Sequence, residues 1–383
     1  MSVEGIALLL LWQCTGASDD AGETARGVLE TIVQSWSSRE QRIRSAVFEW
    51  EESVLRTKHS GSFRRLDGEV VLYPPGDVRH RRRCVFKLAG RKMRYEYWGP
   101  AFVFELGGYA PRRHISTNDG EVTVSLFDND CPGSGQFYPT CVVSAESVAP
   151  NSRSIELRPF LLWCRPFTIR QGEDYDVAQY DVAPFRPSLR GRVCIVLRNV
   201  VVGGRMENVL WVDSERGFVP LRWQSSVEGG LRVQLDVDYT QDVTYGPVPS
   251  WWKYTVYERP RGDSGPGRVT DQTVANLKSY ELNVKLPVET FRVDLDQLSP
   301  GTLVHDLRNH EQYIVRMGGG RRVISDDEAR DGFDYQRFLT TESDMGAQSG
   351  EWPLVLPMAV SVLLFVVVAA IVARRARQRR VER

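Results

Sequence analysis

The sequence predicts a mainly β (α+β) protein: one antiparallel sheet, strongly curved or partly closed, with an N-terminal helix and a C-terminal transmembrane helix. Three observations predict it. About a dozen short segments alternate apolar and polar residues and are separated by turn signals. One segment near the start repeats apolar residues every three or four positions instead. Finally, the 20 residues from Leu354 to Ala373 carry no charge and run into an arginine cluster.

Taken in order, Val28, Leu29, Ile32, Val33 and Trp36 recur at helical spacing with Glu30, Gln34 and Arg39 between them, which is an amphipathic helix. The period then changes to two. Phe48, Trp50 and Val54 share one face, and Glu49, Glu51 and Ser53 the other. Further strands are expected at Glu69 to Tyr73, Cys84 to Leu88, Lys92 to Tyr97 and Glu121 to Phe127, the last after the turn Asn118-Asp119-Gly120. Residues 129 to 188 form a less regular insertion, in which Ile155 to Trp163 reads as a short helix. Strands resume at Arg192 to Leu197, Glu207 to Asp213, Val219 to Gln224, Leu231 to Tyr239, Trp251 to Glu258 and Tyr280 to Leu286. Glu228-Gly229-Gly230 suits a hairpin between two of them. Gln312 to Arg316 and Arg321 to Ile324 flank Gly318-Gly319-Gly320 as a last hairpin, and Ser325 with Glu328 is a capping-box signature.

Charge separates the chain into compartments. The 49 basic and 49 acidic residues balance, but six arginines lie in the last ten positions: Arg374, Arg375, Arg377, Arg379, Arg380 and Arg383. The remainder is therefore mildly acidic, which excludes a nucleic-acid-binding body. Leu354 to Ala373 would be roughly 30 Å long as a helix, the thickness of a hydrocarbon core. Arginines beside a span stay cytoplasmic, so the body is expected outside, as the extracytoplasmic (periplasmic) part of a single-pass membrane protein. Ile6 to Trp12 is apolar and Thr15-Gly16-Ala17 offers small residues before Ser18, so residues 1–17 are expected to be a signal peptide. The expected organisation is one external domain at 18–339 with its terminal hairpin at 301–324. A polar tether at 340–353, the span at 354–373 and a basic tail at 374–383 follow.

An exported body makes cysteines candidates for disulfides. Cys131 with Cys141 is favoured, because the turn-rich loop between them suits a short bridge; Cys164 with Cys194 is the second choice. Catalytic patterns are missing: no GxSxG, HExxH, GxxxxGK[ST] or dinucleotide fingerprint occurs. No catalytic residue, metal or cofactor is expected. His305 and His310, the Gly318 to Arg322 run and Arg261-Gly262-Asp263 read as turns and loops. Arg79-His80-Arg81-Arg82-Arg83 reads as a solvated or edge-protecting run at a strand entry. Glu51-Glu52 and Asp326-Asp327 are adjacent in sequence, so each pair points apart.

The order of elements, with Arg91-Lys92-Met93-Arg94-Tyr95-Glu96, the hairpin at Asp119-Gly120, Leu210-Trp211-Val212-Asp213 and Gly217-Phe218-Val219-Pro220-Leu221-Arg222, resembles the LolA/LolB-like superfamily over residues 26 to 295. That family comprises bacterial outer-membrane lipoprotein-sorting carriers and related sensor domains such as that of RseB. The resemblance implies an open, strongly bent sheet or half-barrel with helices on its concave side, and an apolar cavity that accepts acyl chains. Phe48, Trp50, Tyr95, Tyr97, Trp211, Trp223, Tyr239, Trp252 and Tyr254 are the candidate lining; for any single one of them, filling the core between sheet and helices is the stronger reading. A non-enzymatic lipid- or lipoprotein-binding envelope protein, in sorting or sensing, is the expected function. The alternative is a structural or sensory ectodomain that binds a protein partner through its loops and has no ligand cavity.

Overall fold

The computed structural model describes residues 19–64, 70–73, 76–103, 108–128, 139–145, 156–166, 180–201, 203, 205–258, 267–316, 320–325 and 327–328. The expected signal peptide, tether, span and basic tail lie outside these residues, as do Cys131 and Arg261-Gly262-Asp263. Among the described residues no helix is long and apolar enough to cross a membrane. The chain divides into two units: Met1–Asp294 with His305–His310, and Leu295–Val304 with Glu311–Arg383.

In the larger unit, helix α1 (Asp19–Arg42) buries Ile32, Trp36 and Arg39, spaced by one helical turn. The Trp36 indole donates to the Phe218 carbonyl at 2.7 Å. Strand β1 (Ser45–Arg56) follows, with alternate residues buried up to Val54. The hairpin β2 (Gly61–Arg64) and β3 (Val70–Tyr73) forms its own two-stranded sheet. β4 (Val78–Ala89) then pairs antiparallel with the whole of β1. β5 (Lys92–Val103), β6 (Gly108–Asn118), β7 (Thr123–Asp128) and β8 (Thr140–Ser144) continue outward, each antiparallel to the one before. β6 is a strand that was not expected from the sequence; in its ladder Pro111 stands opposite Pro100.

The insertion supplies the short helix α2 (Arg158–Cys164), close to the expected bounds, and two short strands, β9 (Asp181–Val182) and β10 (Ser188–Leu189). Both short strands pair with β11 (Arg192–Val201). From there β12 (Met206–Asp213), β13 (Pro220–Val227), β14 (Gly230–Asp242), β15 (Gly246–Tyr257) and β16 (Val269–Leu282) form a second meander. Glu228 and Gly229 both have positive φ, 52° and 81°, the backbone a two-residue hairpin between twisted strands requires. β16 returns to pair with β1, so the two meanders share one open antiparallel sheet with the first strand at its centre. The strand expected at Tyr280 to Leu286 is the end of β16. It stops at Asn283, whose positive φ of 56° turns the chain and whose amide binds the Arg42 carbonyl at 2.9 Å.

β17 (Leu303–Asp306) follows two 3-10 turns. In the smaller unit β18 (Glu311–Val315) pairs with β19 (Arg321–Ile324), the expected terminal hairpin. The capping box is present: Glu328 N–H donates to Ser325 Oγ at 3.2 Å and Ser325 N–H to the Glu328 carboxylate at 3.0 Å.

Candidate functional site

The ladder register places the aromatic residues in successive rungs across β1. Phe48 pairs with Phe86, Phe86 with Tyr95, Trp50 with Cys84, Cys84 with Tyr97, and Tyr97 with His114. Paired residues share a face, and this face is covered by α1 and α2. Residues Pro159 to Cys164 of α2 are all buried. The Phe160 ring lies 4.3 Å from Phe48, 5.2 Å from Trp50 and 5.0 Å from Trp252, while Trp50 lies 5.9 Å from Tyr95 and 5.5 Å from Trp252. Arg158, at the start of α2, sets its guanidinium 3.9 Å over the Trp223 ring.

Of the nine residues expected on one face, Phe48, Trp50, Tyr95, Trp223, Trp252 and Tyr254 are buried there, and Tyr97 and Tyr239 pack half-buried against them. Trp211 differs. It pairs with Arg222, whose guanidinium lies 5.9 Å from its ring, so it stands on the opposite face from its neighbour Leu210 and from Trp223. There Arg222 holds Asp236 at 2.6 Å in a polar lattice with Gln234 and Gln224. Phe160 and Trp163 belong to the aromatic cluster although the sequence assigned the short helix no role; its run Pro-Phe-Leu-Leu-Trp-Cys, apolar on every side, was the available signal.

One end of the covered face is polar. Glu52 takes the inward position between Trp50 and Val54 on β1, is 2% exposed, and pairs across the ladder with Arg82. Its carboxylate stands 3.6 Å from the Arg82 guanidinium and accepts from the Trp50 indole at 3.3 Å. Arg82 in turn lies 4.7 Å over Tyr97, which is 5.1 Å from His114, itself stacked on Phe127 at 4.3 Å. His80, one rung beyond Arg82, lies 5.2 Å from Tyr109. Room for Arg82 comes from Gly99 on β5, where any Cβ would meet the Arg82 side chain.

The sequence read Arg79 to Arg83 as a solvated or edge-protecting run, but β4 is interior, between β1 and β5. Arg79, Arg81 and Arg83 face water while His80 and Arg82 turn inward. Glu51 and Glu52 do point apart, and the inward one is the group with unusual chemistry. A second buried polar set, Asn199 opposite Asn208 opposite Ser225, lies on β11, β12 and β13.

Burial governs the electrostatics of the Glu52 end. Desolvation, then the nearby Glu156, raises the Glu52 carboxyl to about 7 against the pull of Arg82. Desolvation, then neighbouring arginines, lowers His80 and His114 to about 4, so both imidazoles are neutral. Burial pushes the Cys84 thiol and the Tyr95 hydroxyl well up. Neutral His114 has a consequence for stability. Unfolded, it titrates near ~6.5, so its contribution is complete above that value and is lost as pH falls toward 4. Glu52 runs oppositely: its favourable contribution is present at low pH and is lost as pH rises to about 7. His114→Leu should therefore flatten the fall in stability between pH 6.5 and 4 by up to ~3 kcal/mol, read as the urea midpoint at each pH. An unchanged slope would mean that His114 is charged in the fold.

No group of three or more His, Cys, Asp or Glu among the described residues is arranged to hold a metal ion. His305 lies on β17 and His310 in the following turn, at φ 55°. The second-choice pairing is corrected: Cys164 and Cys194 are buried free thiols, as is Cys84. The favoured pairing of Cys141 falls with Cys131 outside the described residues. Cys164 sits on α2 and Cys194 on β11, each packed into the core on its own element. Cys141 is buried in β8 opposite Leu126, with its thiol raised to about 12 by burial and by Asp306. Iodoacetamide should therefore spare Cys84, Cys141 and Cys164 in the native chain and modify all four in urea without reductant, as read by peptide mass spectrometry. A cysteine that alkylates only after reduction would establish a bridge.

No protein-family model and no curated protein matches the sequence. Among solved structures, the chain is similar to the crystal structure of a DUF1329 family protein from Desulfovibrio piger. The match has 14% identity and a TM-score of 0.35, over 70% of this chain and 97% of that one.

Proposed function

We propose that the chain is a non-enzymatic, single-pass envelope protein whose extracytoplasmic sheet binds a hydrophobic ligand, a lipid or lipoprotein acyl chain, on the aromatic face now covered by α2. Sorting or sensing would follow from that binding. One observation carries the reading: the aromatic rungs around Trp50 are covered by a seven-residue helix rather than by a second sheet. A helix this short has no stability of its own in water, so only its buried side chains hold it in place. An acyl chain that offered the same apolar contacts would compete with it directly. The LolA/LolB-like order of motifs and the apolar stretch Leu354 to Ala373 support the reading, with the strongly bent half-barrel as its geometry and the membrane as its setting.

The ring contacts favour a second reading, a structural or sensory ectodomain filled by its own side chains that binds a protein partner through its loops. The two separate in one experiment. Membranes containing the full-length chain are exposed to a photoactivatable, alkyne-tagged fatty acyl probe, and labelled peptides are mapped. Ligand binding labels peptides of β1, β15 and α2; label confined to residues 354–373 rejects it and leaves the protein-partner reading.

A further inference from the structure

We propose that the polar rung Asn199–Asn208–Ser225 is the head-group site for a neutral amphiphile, an apolar chain ending in a group that both donates and accepts a hydrogen bond, a carboxamide or a hydroxyl. The inference rests on the ligand reading above and adds the chemistry and orientation of the ligand. Two unmatched amides carry it. Among the described residues Asn199 Nδ2 and both Nδ2 and Oδ1 of Asn208 are buried without a partner, on residues 2% and 0% exposed. The register sets the two asparagines directly opposite each other on β11 and β12, with Ser225 next in line on β13. Opposite side chains on one face have Cβ atoms roughly 5 Å apart, so the unmatched groups lie together. Exchanging the nitrogen and oxygen of the Asn208 amide changes nothing, since neither end has a partner.

The surroundings make these amides conspicuous. Asn199 has the parity of Ile195 and Leu197, Asn208 that of Leu210 and Val212, and Ser225 that of Leu221 and Trp223, all of them buried and apolar. Leucine at either asparagine would fit that pattern and leave no polar group unmatched. Hydrogen-bond supply then selects the ligand. The amide nitrogens donate and Asn208 Oδ1 accepts. A carboxamide or hydroxyl answers both needs, whereas an ester oxygen leaves Oδ1 unmatched. A carboxylate brings a charge to inward positions that carry none; Arg198 and Glu207 of the same strands pair with each other at 2.7 Å on the opposite face. Position agrees. The next rung is Leu210–Trp223, and Arg158, at the start of α2, lies over Trp223 at 3.9 Å. Two residues on, Phe160 rests on Trp252 and Trp50. A chain that takes the place of α2 therefore runs from Trp223 toward Trp50, and its head falls at Asn208 and Ser225. Arg158 is carried on α2 and is displaced with it.

The test uses the full-length chain in amphipol and the fluorescent polyene cis-parinaric acid as its primary amide, its alcohol, its methyl ester and the free acid. The amide or the alcohol should bind about tenfold tighter than the ester and the acid, the equivalent of one hydrogen bond. The tighter of the two tells whether the natural head is an acyl amide or a glyceride-like hydroxyl. Asn208→Leu should abolish the preference, leave ester affinity constant and raise the urea midpoint of the ligand-free chain, because no hydrogen bond is lost with the amide. Equal affinity for amide, alcohol and ester would show that water serves the rung; it overturns the head-group site and leaves the apolar-ligand reading standing. That comparison needs no variant, so misfolding of Asn208→Leu cannot obscure it. A preference for the acid or the ester overturns the neutral donor–acceptor assignment, as does a lowered urea midpoint in Asn208→Leu, which would show that the amide is matched within the fold. Binding of no probe overturns both readings.

Discussion

Trp50→Ala lowers the stability of the larger unit by about 4 kcal/mol, while Trp211→Ala costs less than ~1.5 kcal/mol. The two tryptophans occupy strands of the same sheet, and from sequence both belong to one aromatic face. Trp50 is wholly buried, with Tyr95, Phe160 and Trp252 each within 6 Å of its ring. Its removal leaves a large cavity that the backbone of a central strand cannot close, since β1 is held on both sides by β4 and β16. It also withdraws the indole N–H from Glu52. Trp211 loses only half-buried packing beside Arg222, on the opposite face. Urea unfolding of the two variants checks this. Equal losses would show that the faces are misassigned, and with them the rungs on which the ligand site is built.

Gly99→Ala costs roughly 3 kcal/mol, read as the urea midpoint. A Cβ built on Gly99 comes 2.7 Å from the Arg81 carbonyl oxygen, 2.8 Å from Arg82 Cγ and 3.2 Å from Arg82 Cα. Two of these are backbone atoms of the neighbouring strand, so relief requires β4 and β5 to separate, not one side chain to rotate. The residue also sits at φ +155°, outside the range side chains ordinarily adopt. Gly90→Ala is the control. It lies in the β4–β5 turn at φ +58° with open space around its Cβ, so it pays only the left-handed strain, about 1 kcal/mol. If Gly99→Ala costs no more than Gly90→Ala, the close approach of the strands at Arg82 is wrong.

Periodicity in the sequence was enough to recover α1, most of the long strands, the hairpin turns and the capping box, because each reports a local choice: period two, period 3.6, or a residue tolerant of positive φ. The aromatic face was legible for the same reason. Glu52, Arg82 and His80 were read only as part of an adjacent acidic pair and of a solvated or edge-protecting run, although they share the parity of Trp50, Cys84 and Phe86. A polar residue at an inward position interrupts an alternation and reads as a lapse in it, and the identity of the partner depends on which strand lies alongside.

By itself, then, the sequence determined the class of protein: a mainly β body with a helix ahead of its sheet, an apolar stretch before an arginine tail, and aromatics at alternate strand positions. Only the tertiary structure decided that β1 lies at the centre between β4 and β16, that Trp211 lies on the opposite face from Leu210 and Trp223, that Cys164 and Cys194 stand apart as thiols, and that the carboxylate of Glu52 meets the guanidinium of Arg82 at one end of the covered face. The reason is separation along the chain. Glu52 and Arg82 are 30 residues apart and Trp50 and Phe160 are 110 apart, and no local period carries the register that pairs them.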